Sequence, residues 1–148
     1  MKKTKLRKSS KSPIALCKKR IQALLRLLAI HRDGGCVMRN HPETGKCGGY
    51  TKLGNLILQF DHLNSRARNI SFGELALGVT VCKRHHFYYK KQYPFEYERC
   101  AINNIGPKRE KFLYKVRADK RVYKMGLSDW TLIEIALQNE LNDLQKMR

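Results

Sequence analysis

Acidic residues are scarce in this 148-residue chain. Asp and Glu number 12 against 31 Lys and Arg, a formal charge of 31 − 12 = +19 and a pI near 10.1. Such a charge does not choose a fold, but it does choose partners. It calls for a polyanion, and nucleic acid is far commoner than an anionic membrane surface. Long apolar runs are also missing. None reaches the roughly 18 residues that a membrane-spanning helix needs, so no membrane partner is expected. The basic N-terminus is not followed by an apolar h-region or a small-residue cleavage site, and the chain reads as cytoplasmic. The five cysteines, at 17, 36, 47, 82 and 100, are odd in number and accompany no secretory signal. Both facts argue against a disulfide framework and in favour of metal ligation where Cys and His cluster. No internal repeat is evident.

The chain divides into a basic arm, 1–11, and one domain, 12–148. The arm carries Lys2, Lys3, Lys5, Arg7, Lys8 and Lys11 with no acid, and is expected to be disordered and to touch phosphates without reading sequence. Ser12-Pro13 then opens a helix, with Ser as N-cap and Pro at the first position. Ile14, Cys17, Ile21, Leu24 and Leu28 form its apolar seam, and Gly34-Gly35 stops it. Cys17 lies on that seam and reads as a core thiol, while His31 reads as a surface or capping residue. Leu53–Phe60 and Gly78–Val81 are strand candidates. A short helix over 83–91 follows and ends at Tyr93-Pro94. Helical segments are expected over 95–105 and 108–118, separated by Gly106-Pro107. A last helix, capped by Ser128, carries Trp130, Ile133, Leu137, Leu141 and Leu144, and Trp130 reads as a packing anchor. The expected fold class is α+β: a small, mainly helical domain around a finger at 53–91, with a helical part at 94–148.

Phe60–Lys91 concentrates the chemistry. Asp61-His62 stands at a strand end, and Cys82-x2-His85-His86 follows twenty residues on. Two metal sites can be drawn. Cys36, Cys47, Cys82 and His85 make a Cys3His set of the kind that closes a structural zinc site, although the Cys36–Cys47 gap is wider than in a zinc knuckle. Asp61 and His86 could hold a catalytic divalent ion, Mg2+ or Mn2+. His62 points to the other face of the strand and could take a proton from water. The alternative is that Asp61, His62 and His86 are ordinary polar residues. Arg66, Arg68, Lys83, Arg84, Lys90 and Lys91 surround the stretch and are expected to clamp DNA phosphates. Tyr88, Tyr89 and Tyr93 interleave with them and could stack on unpaired bases. Phe87 and at least one of these tyrosines are expected in the core.

At Asp61-His62 and Val79-Thr80-Val81-Cys82-Lys83-Arg84-His85-His86 the chain resembles the HNH endonucleases, with His85 where those enzymes place a last zinc Cys. Within that group it is most similar to the phage recombination nucleases NinG and Rap, over roughly residues 30–145. The resemblance implies a ββα-metal finger, His62 as general base, and cleavage of branched or recombining DNA with Mg2+ or a similar ion. It also implies the cytoplasm of a phage host and admits a homodimer. One position departs from the pattern: Leu77 stands where the family has its middle Asn. Asn69, or Asn64, is expected to support the loop instead, with Asn69 the candidate site residue. Two other readings stay open. One is a zinc-containing DNA-binding protein without catalysis, and the other is a basic RNA- or ribosome-associated protein.

Overall fold

A computed structural model describes residues 12–64 and 69–147, so the basic arm, Arg66 and Arg68 lie outside the described residues. The protein is a mixed helix-and-strand structure, mostly helical, with one two-stranded sheet. Helix α1 (Pro13–Asp33) starts where Ser12 Oγ accepts from the Ala15 N–H. It ends where Gly34 takes a left-handed conformation, φ 65°, that a side chain would disfavour.

Strand β1 (Leu58–His62) begins later than its apolar run suggests. Residues 50–56 fold first into a small hairpin, with Thr51 N–H donating to Asn55 O and Gly54 at φ 81°. A single turn α2 (Asn69–Phe72) precedes β2 (Gly78–Cys82), which pairs antiparallel with β1 so that His62 faces Gly78 and Leu58 faces Cys82. Every residue of β2 is buried. Its Val79 and Val81 side chains pack with Tyr97, Cys100, Ala101, Leu113 and Val116 of α4 (Pro94–Ala118). On the other side lies a second core, built from the α1 seam, Phe72, and Trp130 and Leu137 of α5 (Leu127–Lys146).

Three details differ from expectation. The segment after Cys82 is a π turn, His85–Tyr89, running into the single turn α3 (Lys90–Gln92). The wider π turn sends His85 inward and leaves Phe87 56% exposed, so Phe87 is not a core residue. Tyr88 and Tyr93 are exposed as well, whereas Tyr89 is half-buried against the core that holds the buried Tyr97. Ser128 does not cap α5, because the Asp129 carboxylate reaches back to the Gly126 N–H at 2.8 Å and starts the helix earlier. Helix α4 is interrupted where the sequence indicates, at Gly106 (φ 75°, ψ 165°), and Pro107 restarts it.

Gly78 closes the sheet end that carries Asp61 and His62. A Cβ there would strike the Phe60 ring and stand 2.7 Å from the Asp61 carbonyl oxygen. Gly78→Ala is therefore expected to destabilise the fold by about 1–3 kcal/mol in urea titrations. An unchanged midpoint would mean that this strand end is loosely packed.

Candidate functional site

The four residues Cys36, Cys47, Cys82 and His85 come together from separate parts of the chain. Cys36 follows the glycine stop of α1, Cys47 closes a loop, Cys82 ends β2 and His85 opens the π turn. Their ligand atoms all lie within 4.8 Å of one another, so they could hold a metal ion such as zinc. His85 Nδ1 is 3.5, 3.9 and 3.0 Å from the sulfurs of Cys36, Cys47 and Cys82. A tetrahedral zinc with ordinary bond lengths places sulfur and nitrogen about 3.6 Å apart, in the middle of that range. Outside the cluster, His85 Nε2 donates to the Thr44 carbonyl at 3.2 Å, which fixes the ring with Nδ1 facing the sulfurs. The Gly48 N–H adds a contact to Cys82 Sγ at 3.5 Å. The Cys36 S–H, ahead of His85 and Gly48, lowers the pKa of Cys82 against the effect of burial. The same hydrogen bond, with burial, raises that of Cys36. One thiolate thus gathers the donors, and a bound cation would take their place.

A second grouping, His41, Glu43 and Cys100, is closed by hydrogen bonds. Asn104 donates to His41 Nε2 at 2.7 Å, so the proton sits on Nδ1 and faces Glu43. Cys100 donates to Glu43 as well. Every member has its partner without a metal.

Asp61 lies on the α4 side of the sheet and His62 on the α1 side. Asp61 is 5% exposed. His86 Nε2 stands 3.1 Å from its Oδ1, Lys90 Nζ reaches both oxygens at 2.8 and 2.7 Å, and Tyr97 donates to Oδ2 at 2.7 Å. Gln59, two residues before Asp61 on the same strand face, accepts from His86 Nδ1 at 2.5 Å and orients the ring. An imidazole nitrogen and a carboxylate oxygen at this separation match adjacent ligands of an octahedral ion, about 3 Å apart at Mg2+ bond lengths. His62 Nε2 donates to the Phe72 carbonyl at 2.9 Å, and its ring meets Phe60 edge-on. Asp61, His62, Lys90, Tyr97, Glu98 and Arg117 line one cleft of about 170 Å3.

Burial works against the Asp61 charge, but His86, Lys90 and Tyr97 outweigh it and hold the carboxyl down at about 2. Since this folded value lies below the usual carboxylate value of 3.8, Asp61 contributes stability above pH 4. That contribution, about 2 kcal/mol, is lost as pH falls through about 2. The stability gap between the wild type and Asp61→Asn is therefore expected to narrow between pH 4 and pH 2. A gap independent of pH in that window would mean that the three partners do not favour the ionised form.

Other residues expected at the site stand elsewhere. Asn69 does not support the His62 loop. Its amide donates to the Tyr123 carbonyl at 2.9 Å and accepts from Lys18 at 3.4 Å, because α2 turns toward α1 and the connector before α5. Leu77, in the family's Asn position, is buried. Its backbone holds the loop instead, taking the Leu63 N–H at 2.8 Å. Arg109 and Arg32 both clamp the adjoining Gly78 carbonyl, at 2.6 and 2.9 Å. Lys83 and Arg84 are exposed, but the Arg84 guanidinium binds the Lys46 carbonyl on the cysteine loop. Lys91 lines a surface hollow with Phe87, Tyr88 and Gln92.

Sequence reasoning missed Gln59, Tyr97, Thr44 and Arg117. Gln59 was findable from its i−2 relation to Asp61. The others reach the site through loop and helix packing, which leaves no local mark. Compared with known proteins, the chain matches no family model, no curated sequence and no solved structure.

Proposed function

We propose that this protein is a metal-dependent DNA endonuclease of HNH type, acting on branched DNA in phage recombination. The observation that carries the proposal is the joint placement of Asp61 and His86, 3.1 Å apart, in reach of the cleft that His62 lines. On this reading the β1–β2 pair and the turn after it are a ββα-metal finger. Zinc on Cys36, Cys47, Cys82 and His85 is structural and ties the 36–48 loop to the sheet. Asp61 and His86 are the residues that would hold Mg2+ or Mn2+. Such an ion supplies charge neutralisation at the phosphate and help for the leaving oxygen.

The chain's own residues do the rest. His62 carries its proton on Nε2 toward Phe72, so Nδ1 is the basic nitrogen that takes the proton from the attacking water. Gln59 and Tyr97 hold His86 and Asp61 in place. The +19 charge draws in the polyanion, and Phe87 and Tyr88, exposed beside Lys91, offer faces for unpaired bases.

Purified zinc-loaded protein incubated with branched and linear DNA is expected to cut when Mn2+ or Mg2+ is added and not when it is omitted. Buried Leu77 in the Asn position favours a second reading, a zinc-containing DNA-binding module without catalysis. Tight, salt-sensitive binding with no cleavage in any divalent ion would establish that reading and sink the first.

A further inference from the structure

Lys90 has no role yet in the proposed chemistry, although it grips the central carboxylate. Its ammonium straddles both Asp61 oxygens at 2.8 and 2.7 Å, on the same Oδ1 that His86 faces. Tyr97 holds Oδ2 from the buried side. The Lys90 side chain is 39% exposed against 6% for Asp61, so the lysine approaches from the open side, the one a solvent cation would use.

Charge makes that position consequential. One ammonium and one carboxylate sum to zero. A divalent cation added at Asp61 would meet the Lys90 charge at close range inside a chain of +19. The four-carbon stem lets the ammonium swing away, but leaving Asp61 forfeits a charge-assisted pair unless another anion receives it. A DNA phosphate entering the cleft is such an anion.

We propose that Lys90 is a positioning residue that holds Asp61 in the DNA-free protein and passes to a backbone phosphate when DNA binds, which couples divalent-cation binding at Asp61 and His86 to DNA binding. The inference rests on reading those two residues as the ion's ligands. Coupling of this kind is reciprocal, so the ion also tightens DNA binding.

The test measures Mn2+ affinity of the zinc-loaded chain from the EPR signal of unbound Mn2+, with Asp61→Ala as the baseline for ions held elsewhere. Without DNA, Lys90→Met is expected to bind Mn2+ about tenfold more tightly than wild type, and Lys90→Arg to match wild type. Loss of a merely structural contact would weaken Mn2+ binding, not strengthen it. A second arm leaves Lys90 intact and so stands even where the methionine unsettles the fold. Here His62→Ala, which blocks cleavage, is titrated with and without a short DNA duplex, and Asp61→Ala/His62→Ala with the same duplex gives the baseline for phosphate-held ions. Mn2+ affinity is expected to rise about tenfold on adding DNA. Asp61-dependent Mn2+ binding that ignores both DNA and Lys90→Met overturns the coupling and leaves the proposed ion site standing. Absence of Asp61-dependent binding in every sample overturns both.

Discussion

Replacing Cys82 with serine is expected to strip the proposed zinc from the chain and collapse the packing around β2. Cys82 is fully buried, is the sulfur closest to His85 Nδ1 at 3.0 Å, and receives the Gly48 N–H. It is also the last residue of β2, paired with Leu58, so the cluster and the sheet share it. A serine hydroxyl stays protonated where the thiol ionises, and it makes a poor zinc ligand. Structural zinc sites contribute on the order of 10 kcal/mol of apparent binding energy, comparable with the whole stability of a small domain. Zinc content by elemental analysis should fall from about one per chain to near zero. The unfolding midpoint should fall by about 10 °C or more, the shift expected from a loss of about 4 kcal/mol. Cys100→Ser should keep its zinc, because Cys100 bonds to Glu43 outside the tetrad. A metal-free wild-type preparation with an unchanged unfolding transition would end the zinc proposal.

What could be read of the fold was mostly local. The α1 seam, its Ser12 cap and its Gly34 stop follow from periodicity and from the chemistry of a helix end. So does the break at Gly106-Pro107. The late start of β1 was not legible, because an apolar run such as Leu53–Phe60 has the same composition in a strand and in a hairpin arm. The start of α5 was misread for a related reason. Ser128 and Asp129 are both good capping residues, and which one serves depends on where the chain enters the helix, here at Gly126, whose N–H the Asp129 carboxylate accepts. The π turn also left no periodic signal. It leaves Phe87 outside, against the expectation of a buried Phe87, and turns His85 inward as its place among the cysteines requires.

The Cys3His tetrad was readable from residue types even with a wide Cys36–Cys47 gap, because thiols and imidazoles that cluster have few uses other than metal ligation. The support around it was not. Gln59 orients His86 and Thr44 orients His85, yet each is a common polar residue whose role exists only in three dimensions. The loop that presents His62 is held without the Asn69 side chain, for a physical reason. A loop needs its backbone groups satisfied, and the partner's identity is secondary. Here the backbone of Leu77 and the guanidinium groups of Arg32 and Arg109 satisfy them, which leaves Asn69 to bond elsewhere. Lys90, expected to meet phosphate, lies on Asp61 in the DNA-free protein.

Replacing His62 with alanine is expected to lower kcat for DNA cleavage by about 100- to 10,000-fold, the usual contribution of a positioned general base. KM and DNA affinity should stay near wild type, because the half-buried His62 ring packs against Phe60 and Phe72 and is not one of the exposed cations expected to bind phosphate. The fall should appear equally in kcat and kcat/KM, as it does when an interaction made only in the transition state is removed. The fold should survive, since His62 is half-buried and its hydrogen bond to the Phe72 carbonyl contributes about 1 kcal/mol. Added imidazole should restore part of the rate to His62→Ala, because the missing group is a diffusible base. It should do nothing for Asp61→Ala, where the missing group is an ion ligand. That contrast separates a base from a residue that only braces the strand: bracing cannot be supplied from solution. If His62→Ala cuts as fast as wild type while Asp61→Ala is inactive, the water is activated by some other group. Glu98, the other carboxylate lining the cleft, would then be the residue to replace.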